Sequence, residues 1–207
     1  YHPGNEFTTL IKRLEKQTVS IHRIIVMNTE ESMWNKEWEK LSDAMEVHHL
    51  TKEEFDHGAT RRRGAELSDA EILVFMTQDA LPADRKLIGS LVTAIQENEK
   101  VGAAYARQLP KSDCGFLEKY TRSFNYPSES CLKTEKDLAT RGIKTYFCSN
   151  VCAAYDHKIY NEIGGFPEHA IFNEDMIYAG WMVKKGYGVA YVAEARVYHS
   201  HNYSCAQ

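Results

Sequence analysis

Asp79 is the acidic residue most suggestive of chemistry, because it lies three residues after the end of the short apolar run at 72–76. That run has the length and composition of a buried strand. In α/β proteins, ligands bind beyond the carboxyl ends of strands, where a carboxylate is a hard oxygen ligand for Mg²⁺ or Mn²⁺. These ions take one or two carboxylates together with substrate phosphates. Asp79 would equally suit a turn or a cap for the helix predicted from Asp84, so both interpretations stand.

A second acidic pair, Glu174 and Asp175, follows Asn173 at a predicted helix start. Acidic residues in a first helical turn are ordinary dipole partners, and asparagine is a good N-cap. Capping accounts well for Glu174. It accounts less well for the order in which the pair follows the Gly-Gly-Phe-Pro turn at 164–167.

His199 and His201 follow an apolar strand-like stretch. Alternation puts both imidazoles on the same side of an extended chain. A zinc site needs further protein ligands, and the sequence offers no convincing third and fourth. One imidazole added to a carboxylate and a diphosphate suits Mn²⁺ or Mg²⁺ better. Either histidine is otherwise a polar residue near a strand end.

Arg61 belongs to a run of three arginines between Gly58 and Gly64. The planar guanidinium is the fitted partner for diphosphate oxygens. Three adjacent basic residues more commonly form a solvated helix face. One of them is therefore a candidate phosphate ligand while the others remain in solvent.

Alternating strand and helix patterns must position these residues. Together they predict an α/β fold with a mostly parallel sheet covered on both faces. The stretch from 109 to 145 breaks the pattern, is expected to be helical in part, and is predicted to recognise an acceptor. Its rings Phe124, Tyr126 and Tyr146 are candidates to stack on sugar faces, and packing under a loop is an equally good interpretation. The predicted helices cover 7–14, 34–44, 59–68, 84–98, a short segment to 163, and 173–185. The predicted strands cover 22–27, 46–50, 71–76, 101–106, 151–155, 189–192 and 195–199.

Composition sets broad limits on function. The 207 residues are 43% apolar and 26% charged, with a net charge of -4, so no global basic field recruits nucleic acid. Five cysteines without a CxxC pair favour reduced thiols and a cytoplasmic location. No stretch has the length of a transmembrane helix. The chain starts without methionine and ends without an evident stop, so we expect a piece of a longer protein. Peripheral attachment to the inner face of the cell membrane would then use segments outside it.

These motifs, in this order, resemble family 2 glycosyltransferases of the GT-A fold, in particular the bacterial rhamnosyltransferase-like branch. Each motif is weak alone, but the resemblance covers nearly the whole chain. The matching segments are residues 1–4 (YHPG), 24–29 (IIVMNT), 58–64 (GATRRRG), 75–80 (FMTQDA), 149–154 (SNVCAA), 163–166 (IGGF), 174–175 (ED) and 198–201 (YHSH).

The resemblance implies one GT-A domain whose first strand precedes Tyr1. Residues 1–108 would form the nucleotide-sugar-binding half, and residues 109–207 the acceptor-binding and catalytic half. The implied reaction is inverting transfer of a sugar, rhamnose among the candidates, from a nucleotide-diphosphate donor to a hydroxyl of a glycan or lipid-linked acceptor. The implied setting is cell-surface polysaccharide synthesis. The donor would be dTDP-rhamnose or a UDP-sugar, and the cofactor Mg²⁺ or Mn²⁺.

The resemblance also assigns roles to individual residues. Asp175 would be the catalytic base, and Asp79 and His199 the metal ligands, with His201 as the alternative to His199. The implied donor-binding residues are Asn28, Glu30, Arg61, Gln78 and Asp79. The implied acceptor-binding residues are Asn150 and Glu174.

Three departures from the family pattern keep other functions open. Thr77 replaces the first acidic residue of the DxD motif, Arg62 replaces an asparagine, and the acidic loop reads NTEE at 28–31. A non-catalytic nucleotide-sugar-binding or scaffold domain with the same fold is therefore an alternative. A nucleotidyltransferase would need a glycine-rich phosphate loop, which residues 1–17 do not contain.

Overall fold

The computed structural model describes residue 4 and residues 6–111, 114–170 and 172–199. Helices and strands alternate along most of this length. The helices are α1 (Glu6–Leu14), α2 (His57–Glu66), α3 (Leu87–Gln96), α4 (Phe116–Asn125), α5 (Leu138–Arg141), α6 (His157–Ile163) and α7 (Glu174–Lys184). The strands are β1 (Ile24–Thr29), β2 (Met45–Leu50), β3 (Ile72–Met76), β4 (Leu81–Pro82), β5 (Val101–Leu109), β6 (Cys131–Lys133), β7 (Cys152–Asp156) and β8 (Gly188–Tyr198). None of the helices among these residues is both long and apolar enough to cross a membrane.

The strands form two sheets. β1 and β2 pair in parallel, and the other strands form a sheet in the order β3-β7-β5-β8-β4, with β6 added to β8. In the larger sheet, β3, β5 and β8 point the same way, while β7, β4 and β6 run opposite to them. The longer strands are thus mostly parallel as predicted, and β7 is the reversed exception. A first strand preceding Tyr1 stays a prediction.

Helices cover both faces of the larger sheet, which confirms the α/β class. Successive residues of β5 alternate between two cores because side chains of a strand point to opposite faces. Ala103 and Tyr105 pack with residues of α6 and α7, whereas Ala104 and Ala106 pack with residues of α3. Burial on both faces explains why β5 reads as a nearly continuous apolar run.

α1 packs against both sheets through its apolar stripe. Phe7, Leu10 and Ile11 are buried at the i, i+3, i+4 spacing that puts them on one helical face. They cluster with residues of β1 and β2, and with Met76 and Leu81 around the end of β3. α1 therefore helps to fix the segment that carries Asp79.

The predicted helix at 34–44 is wrong. Two 3₁₀ segments, Glu31–Met33 and Lys36–Leu41, occupy this region. Trp38 packs against the cluster formed by α1 and Trp34. Asn35 is extended, however, and its side chain accepts a hydrogen bond of 3.0 Å from the Glu37 amide. This local side-chain bond competes with continuous helix.

The stretch at 109–145 is helical in part, as expected, and contains α4, β6 and α5. Two other predictions differ from the structure, those of the last two strands and of the cap at Asn173. The two last predicted strands are one strand, β8. Asn173 precedes α7 in a left-handed conformation with φ 64° and makes no side-chain cap bond. Asparagine tolerates this conformation better than most residues, which explains its presence there without capping.

Lys133, at the end of β6, has a buried ammonium group. This group predicts how the stability of the fold depends on pH. Burial lowers the pKa of its ammonium from 10.5 to about 8. The ammonium donates to Tyr105 Oη at 3.1 Å and lies 4.5 Å from that ring's centroid. Between pH 8 and 10.5 the unfolded chain binds the extra proton, so this residue makes the fold more stable as pH rises.

Lys133→Met should remove this pH-dependent gain. Relative to the variant, the wild type should gain up to about 3 kcal/mol of unfolding free energy as pH rises through that window. Urea unfolding at a series of pH values measures the difference. The exposed Lys136→Met variant is the control and should follow the wild type. Parallel curves for wild type and Lys133→Met would contradict the prediction.

Candidate functional site

Asp79 and His199 lie side by side although they are far apart in the sequence. Asp79 sits in the turn after β3, and His199 directly follows β8. The antiparallel pairing of β4 with β8 puts Leu81 opposite Tyr198, which brings the two turns together. As a result, His199 Nε2 is 3.4 Å from Asp79 Oδ2. The structure thus brings together the two predicted metal ligands.

The environment favours a charged Asp79. Partial burial would by itself raise the pKa of this carboxyl, but the hydrogen bond and charge attraction of His199 hold the pKa well below its ordinary value. Asp79 is 34% exposed at its side chain, whereas His199 is 6% exposed. The carboxylate is therefore ionised at neutral pH and faces a partly open surface.

A buried glutamine sets the orientation of His199. Arg122 can only donate, so the Gln108 atom that accepts from it is Oε1. His199 Nδ1 lies 3.0 Å from the same oxygen and must donate to it. His199 Nε2 is then the ring nitrogen that faces Asp79. It either carries a second proton for an ion pair or offers a lone pair to a cation.

This geometry fits a divalent cation held jointly with a substrate. Nε2 and the Asp79 carboxylate converge, and the other imidazole nitrogen is engaged by a carbonyl oxygen, as is usual for metal-ligating histidines. Among the described residues, no group of three or more His, Cys, Asp or Glu side chains forms a complete metal site. Mg²⁺ and Mn²⁺ sites that use substrate phosphates need only one or two carboxylates from the protein.

Asp175 lies in a second cluster at the start of α7. Its Oδ2 accepts from the Asn150 amide at 2.9 Å, and its Oδ1 from the Met176 amide at 2.8 Å. Burial raises the pKa of Asp175, and the neighbouring Glu174 adds to the rise, while the two amide bonds oppose it. A carboxylate that is more basic than usual and fixed in position is suited to accept a proton.

Glu174 is buried in an ion pair with Arg61. Arg61 NH1 lies 3.0 Å from Glu174 Oε1, and the same oxygen accepts from Asn150 Nδ2 at 3.1 Å. Glu174 is only 5% exposed, so its charge depends on these partners. Asn150 is held in turn by Tyr155, whose hydroxyl donates to Asn150 Oδ1 at 2.8 Å. Two predicted acceptor residues and one predicted donor residue therefore share one polar network.

Gly58 explains how α2 comes close enough to supply Arg61. A Cβ at this position would lie 1.8 Å from the Pro167 carbonyl oxygen. The first turn of α2 therefore packs directly on the backbone after the Gly164–Gly165 pair. Asp56 begins the helix by accepting from the Ala59 amide at 2.7 Å. The glycine in this motif serves close packing.

The two clusters meet at the turn before β7. Ser149 Oγ accepts from Gln108 Nε2 at 3.0 Å, and the next residue, Asn150, holds Asp175. The Thr77 amide donates to the Val151 carbonyl at 3.2 Å, which ties the loop carrying Asp79 to the same turn. The Asp79–His199 pair and the Asp175 carboxylate are thus connected through three consecutive residues, 149–151.

The remaining predicted donor residues lie at the end of β1 and beside Asp79. Asn28 is 3% exposed, and its side-chain amide bonds to the Glu30 carbonyl at 3.2 Å and to His49 Nδ1 at 2.9 Å. Glu30 is partly exposed and has φ 67°, an uncommon conformation for a residue with a side chain. Gln78 is half-buried. His201 lies outside the described residues.

Gln108 and Arg122 were not among the residues predicted from the sequence, and of the two roles open to Tyr126 the structure shows packing. Gln108 is 2% exposed in an otherwise apolar strand, and a lone polar residue in such a run is the signal that would have indicated it. Tyr126 is 5% exposed and accepts from Gln108 at 2.6 Å, so it cannot stack on a sugar. Phe124 is exposed and Tyr146 half-buried, and neither takes part in the two clusters.

The sequence is similar to those of known proteins. The model of the Glycosyl transferase family 2 matches residues 4–164. The O-antigen chain rhamnosyltransferase RfbN of Salmonella typhimurium is 37% identical over 205 residues, covering 99% of this chain and 65% of that protein. The O-antigen chain rhamnosyltransferase WbaN of Salmonella anatum is 40% identical over 159 residues, covering 76% of this chain and 50% of that protein. The chain thus spans about half to two thirds of the length of these relatives.

Solved structures agree on the fold. TarS of S. aureus superposes with a TM-score of 0.70 at 17% identity, covering 97% of this chain and 58% of that one. The mannosyltransferase PcManGT of Pyrobaculum calidifontis, solved with GDP-Man and Mn²⁺, has a TM-score of 0.69 at 14% identity, covering 96% of this chain and 54% of that one. These likenesses confirm the GT-A fold. With most of its length matched by the family model, the chain belongs to glycosyl transferase family 2.

Proposed function

We propose that this protein is an inverting glycosyltransferase that moves a sugar from a nucleotide-diphosphate donor to a hydroxyl of a glycan or lipid-linked acceptor. The observation that carries the proposal is the connection of the Asp79–His199 pair to Asp175 through the turn at 149–151. One cluster offers ligands for a cation, and the other offers a base. Rhamnose, donated by dTDP-rhamnose, is the sugar that the relatives' names favour, and a UDP-sugar is the second candidate.

Asp79 and His199 would hold Mg²⁺ or Mn²⁺ together with the donor's diphosphate. The bound cation would supply Lewis-acid neutralisation of the charge that develops on the leaving diphosphate. The chain's own contribution is preorganisation, because Gln108 fixes the ring orientation of His199 before any ligand arrives. Asn28, Glu30 and Gln78 remain our candidates for contacts to the donor.

Asp175 would accept the proton of the attacking hydroxyl. Its pKa is raised by burial, so its carboxylate is a stronger base than an exposed one. The two backbone amides hold the carboxylate in a fixed orientation. Direct attack of the activated hydroxyl on the anomeric carbon would invert its configuration and needs no covalent intermediate with the protein. Asn150 and Glu174, next to this base, are candidates for contacts to the acceptor.

The two proposed halves of the domain would act as one unit. Residues 1–108 would bind the donor and residues 109–207 the acceptor. The proposed cation ligands, Asp79 and His199, come one from each half. We place the reaction in the cytoplasm at the inner face of the membrane, in cell-surface polysaccharide synthesis. The four described cysteines are free thiols, which agrees with a reducing compartment.

A thermal-shift experiment tests the proposal directly. We expect a nucleotide sugar at about a hundred times its Kd to stabilise the protein by about 2.7 kcal/mol, or about 5–10 °C in Tm. Part of this shift should require Mn²⁺. Comparing dTDP-rhamnose with UDP-sugars would identify the donor.

Asp79→Asn should abolish the part of the shift that depends on Mn²⁺. The exposed Asp69→Asn variant is the matched control and should respond like the wild type. No shift with any nucleotide, with or without metal, would overturn the proposed function. An equal Mn²⁺ response in Asp79→Asn and the wild type would overturn the role of Asp79.

A further inference from the structure

Helix α4 is oriented with its apolar side away from the protein. Phe116, Leu117, Tyr120 and Phe124 fall within a sector of roughly 100° around the helix axis. Their exposures are 80%, 59%, 61% and 62%. No helix or strand among the described residues covers this face. An amphipathic helix on a globular protein normally turns such a stripe towards the core.

The opposite side of α4 explains this orientation. Glu118 and Arg122 face the protein with side-chain exposures of 12% and 13%, and they form an ion pair at 2.7 Å. Arg122 also donates to Gln108, the residue that orients His199. Rolling the helix to bury its rings would leave Gln108 without this donor and would break the polar network. Within the described residues, the polar network beneath α4 therefore fixes its apolar face outward.

The apolar face continues onto the segment Gly142–Tyr146. Tyr120 and Phe124 are stacked with their centroids 6.4 Å apart, and Lys144 Nζ lies 4.5 Å from the centroid of the Phe124 ring. Ile143, beside this lysine, is 71% exposed. We name these five apolar side chains the aromatic ridge: Phe116, Leu117, Tyr120, Phe124 and Ile143.

The exposed charged side chains within the segments of the aromatic ridge are both positive. In the two segments that form it, the exposed charged side chains are Lys119 and Lys144, and the acidic Glu118 is turned inward. This local sign is opposite to the net charge of the chain, -4. Lysines at the border of an apolar face can lay their stems along the rings while their ammonium groups reach anionic headgroups.

We propose that the aromatic ridge is a docking surface for an anionic phospholipid bilayer. Exposed Phe, Tyr and Leu side chains bordered by lysines have the composition of helices that lie in the membrane interface. All five side chains of the ridge are more than half exposed, so they can contact a bilayer without any change in the fold. This inference goes beyond sugar transfer and places the attachment within the described chain.

The size of the ridge favours lipid over a protein partner. An aromatic side chain presents about 150–250 Å² when fully exposed, so the ridge offers on the order of 500 Å². A stable protein interface buries about 800 Å² on each partner. A bilayer needs no such area, because it surrounds every inserted ring and its charge adds attraction for each lysine.

Vesicle co-sedimentation of the full protein tests the proposal without any sugar substrate. We expect binding to vesicles of mixed phosphatidylcholine and phosphatidylglycerol, weaker binding to phosphatidylcholine alone, and weakening by salt. Phe116→Ser combined with Phe124→Ser should reduce binding about tenfold or more. Lys119→Glu combined with Lys144→Glu should reduce binding to the anionic vesicles only.

Matched changes elsewhere on the surface serve as controls. Leu132→Ser and Lys52→Glu alter exposed residues outside the ridge and should bind vesicles like the wild type. An unchanged Tm for the ridge variants would show that they fold. Equal binding by wild type and the Phe116→Ser/Phe124→Ser variant, or no binding by the wild type, overturns the proposal. If the wild type forms a dimer but does not bind vesicles, and the Phe116→Ser/Phe124→Ser variant is a monomer, the ridge binds a second copy of the chain. That result also overturns the proposal.

Discussion

Asp175→Asn should lower the rate of sugar transfer by about a hundredfold to ten-thousandfold, the range that general base catalysis supplies. The amide has nearly the same shape as the carboxylate and can still accept from the Asn150 amide. It cannot take a proton from the acceptor hydroxyl. Binding of the nucleotide-sugar donor should stay close to that of the wild type, because the Asp79–His199 pair is intact. Rates with saturating donor and acceptor, together with donor thermal shifts, measure both quantities.

Stability separates this effect from damage to the fold. Since burial raises the pKa of Asp175, its ionised form destabilises the folded state at neutral pH. A neutral asparagine removes this buried charge but can accept only one of the two backbone amide bonds, so the two effects oppose each other and Tm should stay close to that of the wild type. Asp69→Asn, on an exposed residue, is the control for transfer. Wild-type turnover in Asp175→Asn would remove this residue from the role of base.

Arg61→Met should destabilise the protein by about 3–5 kcal/mol, because it leaves the buried Glu174 charge without its cation. Glu174 would keep only the Asn150 side-chain amide as a partner at that oxygen. The double variant Arg61→Met/Glu174→Gln should recover most of the loss, because it removes the unpaired charge as well. Urea unfolding without nucleotide measures all three proteins.

This experiment also decides between two roles of Arg61. If the arginine served only to bind a diphosphate, Arg61→Met would weaken donor binding and leave the free energy of unfolding unchanged. Arg62 is the matched control, because it is 39% exposed and pairs with the exposed Glu66 and Glu168. Its change to Met should cost less than about 1 kcal/mol.

Much of the fold could be predicted because long periodic segments have few alternatives. α1, β3 and α7 were located from apolar spacing, with boundaries a residue or two from those observed. The conformation of the segment at 34–44 could not be predicted, because the same apolar spacing fits one α-helix and two 3₁₀ turns. The hydrogen bond from the Glu37 amide to the Asn35 side chain starts a new helical segment at Lys36, so no helix runs through Asn35.

The site was predictable to the extent that motifs mark strand ends. The meeting of Asp79 with His199 agrees with the expectation, and so does the nearness of Glu174 and Asn150. The orientation of His199 was not predictable, because it depends on Gln108 and Arg122 meeting across separate elements. The outward face of α4 was hidden for the same reason, since its apolar spacing alone would place the stripe in the core.

The short pairing of β4 with β8 has a consequence for the order of folding. Leu81 and Pro82 meet the end of β8 only after nearly the whole described chain has been made. Closing such a long loop is slow, and contacts of this kind form late. During synthesis, the segment with Asp79 therefore emerges long before its histidine partner. We expect an incomplete chain to be unable to bring Asp79 and His199 together. Binding of a cation with the nucleotide sugar should therefore indicate that folding is complete.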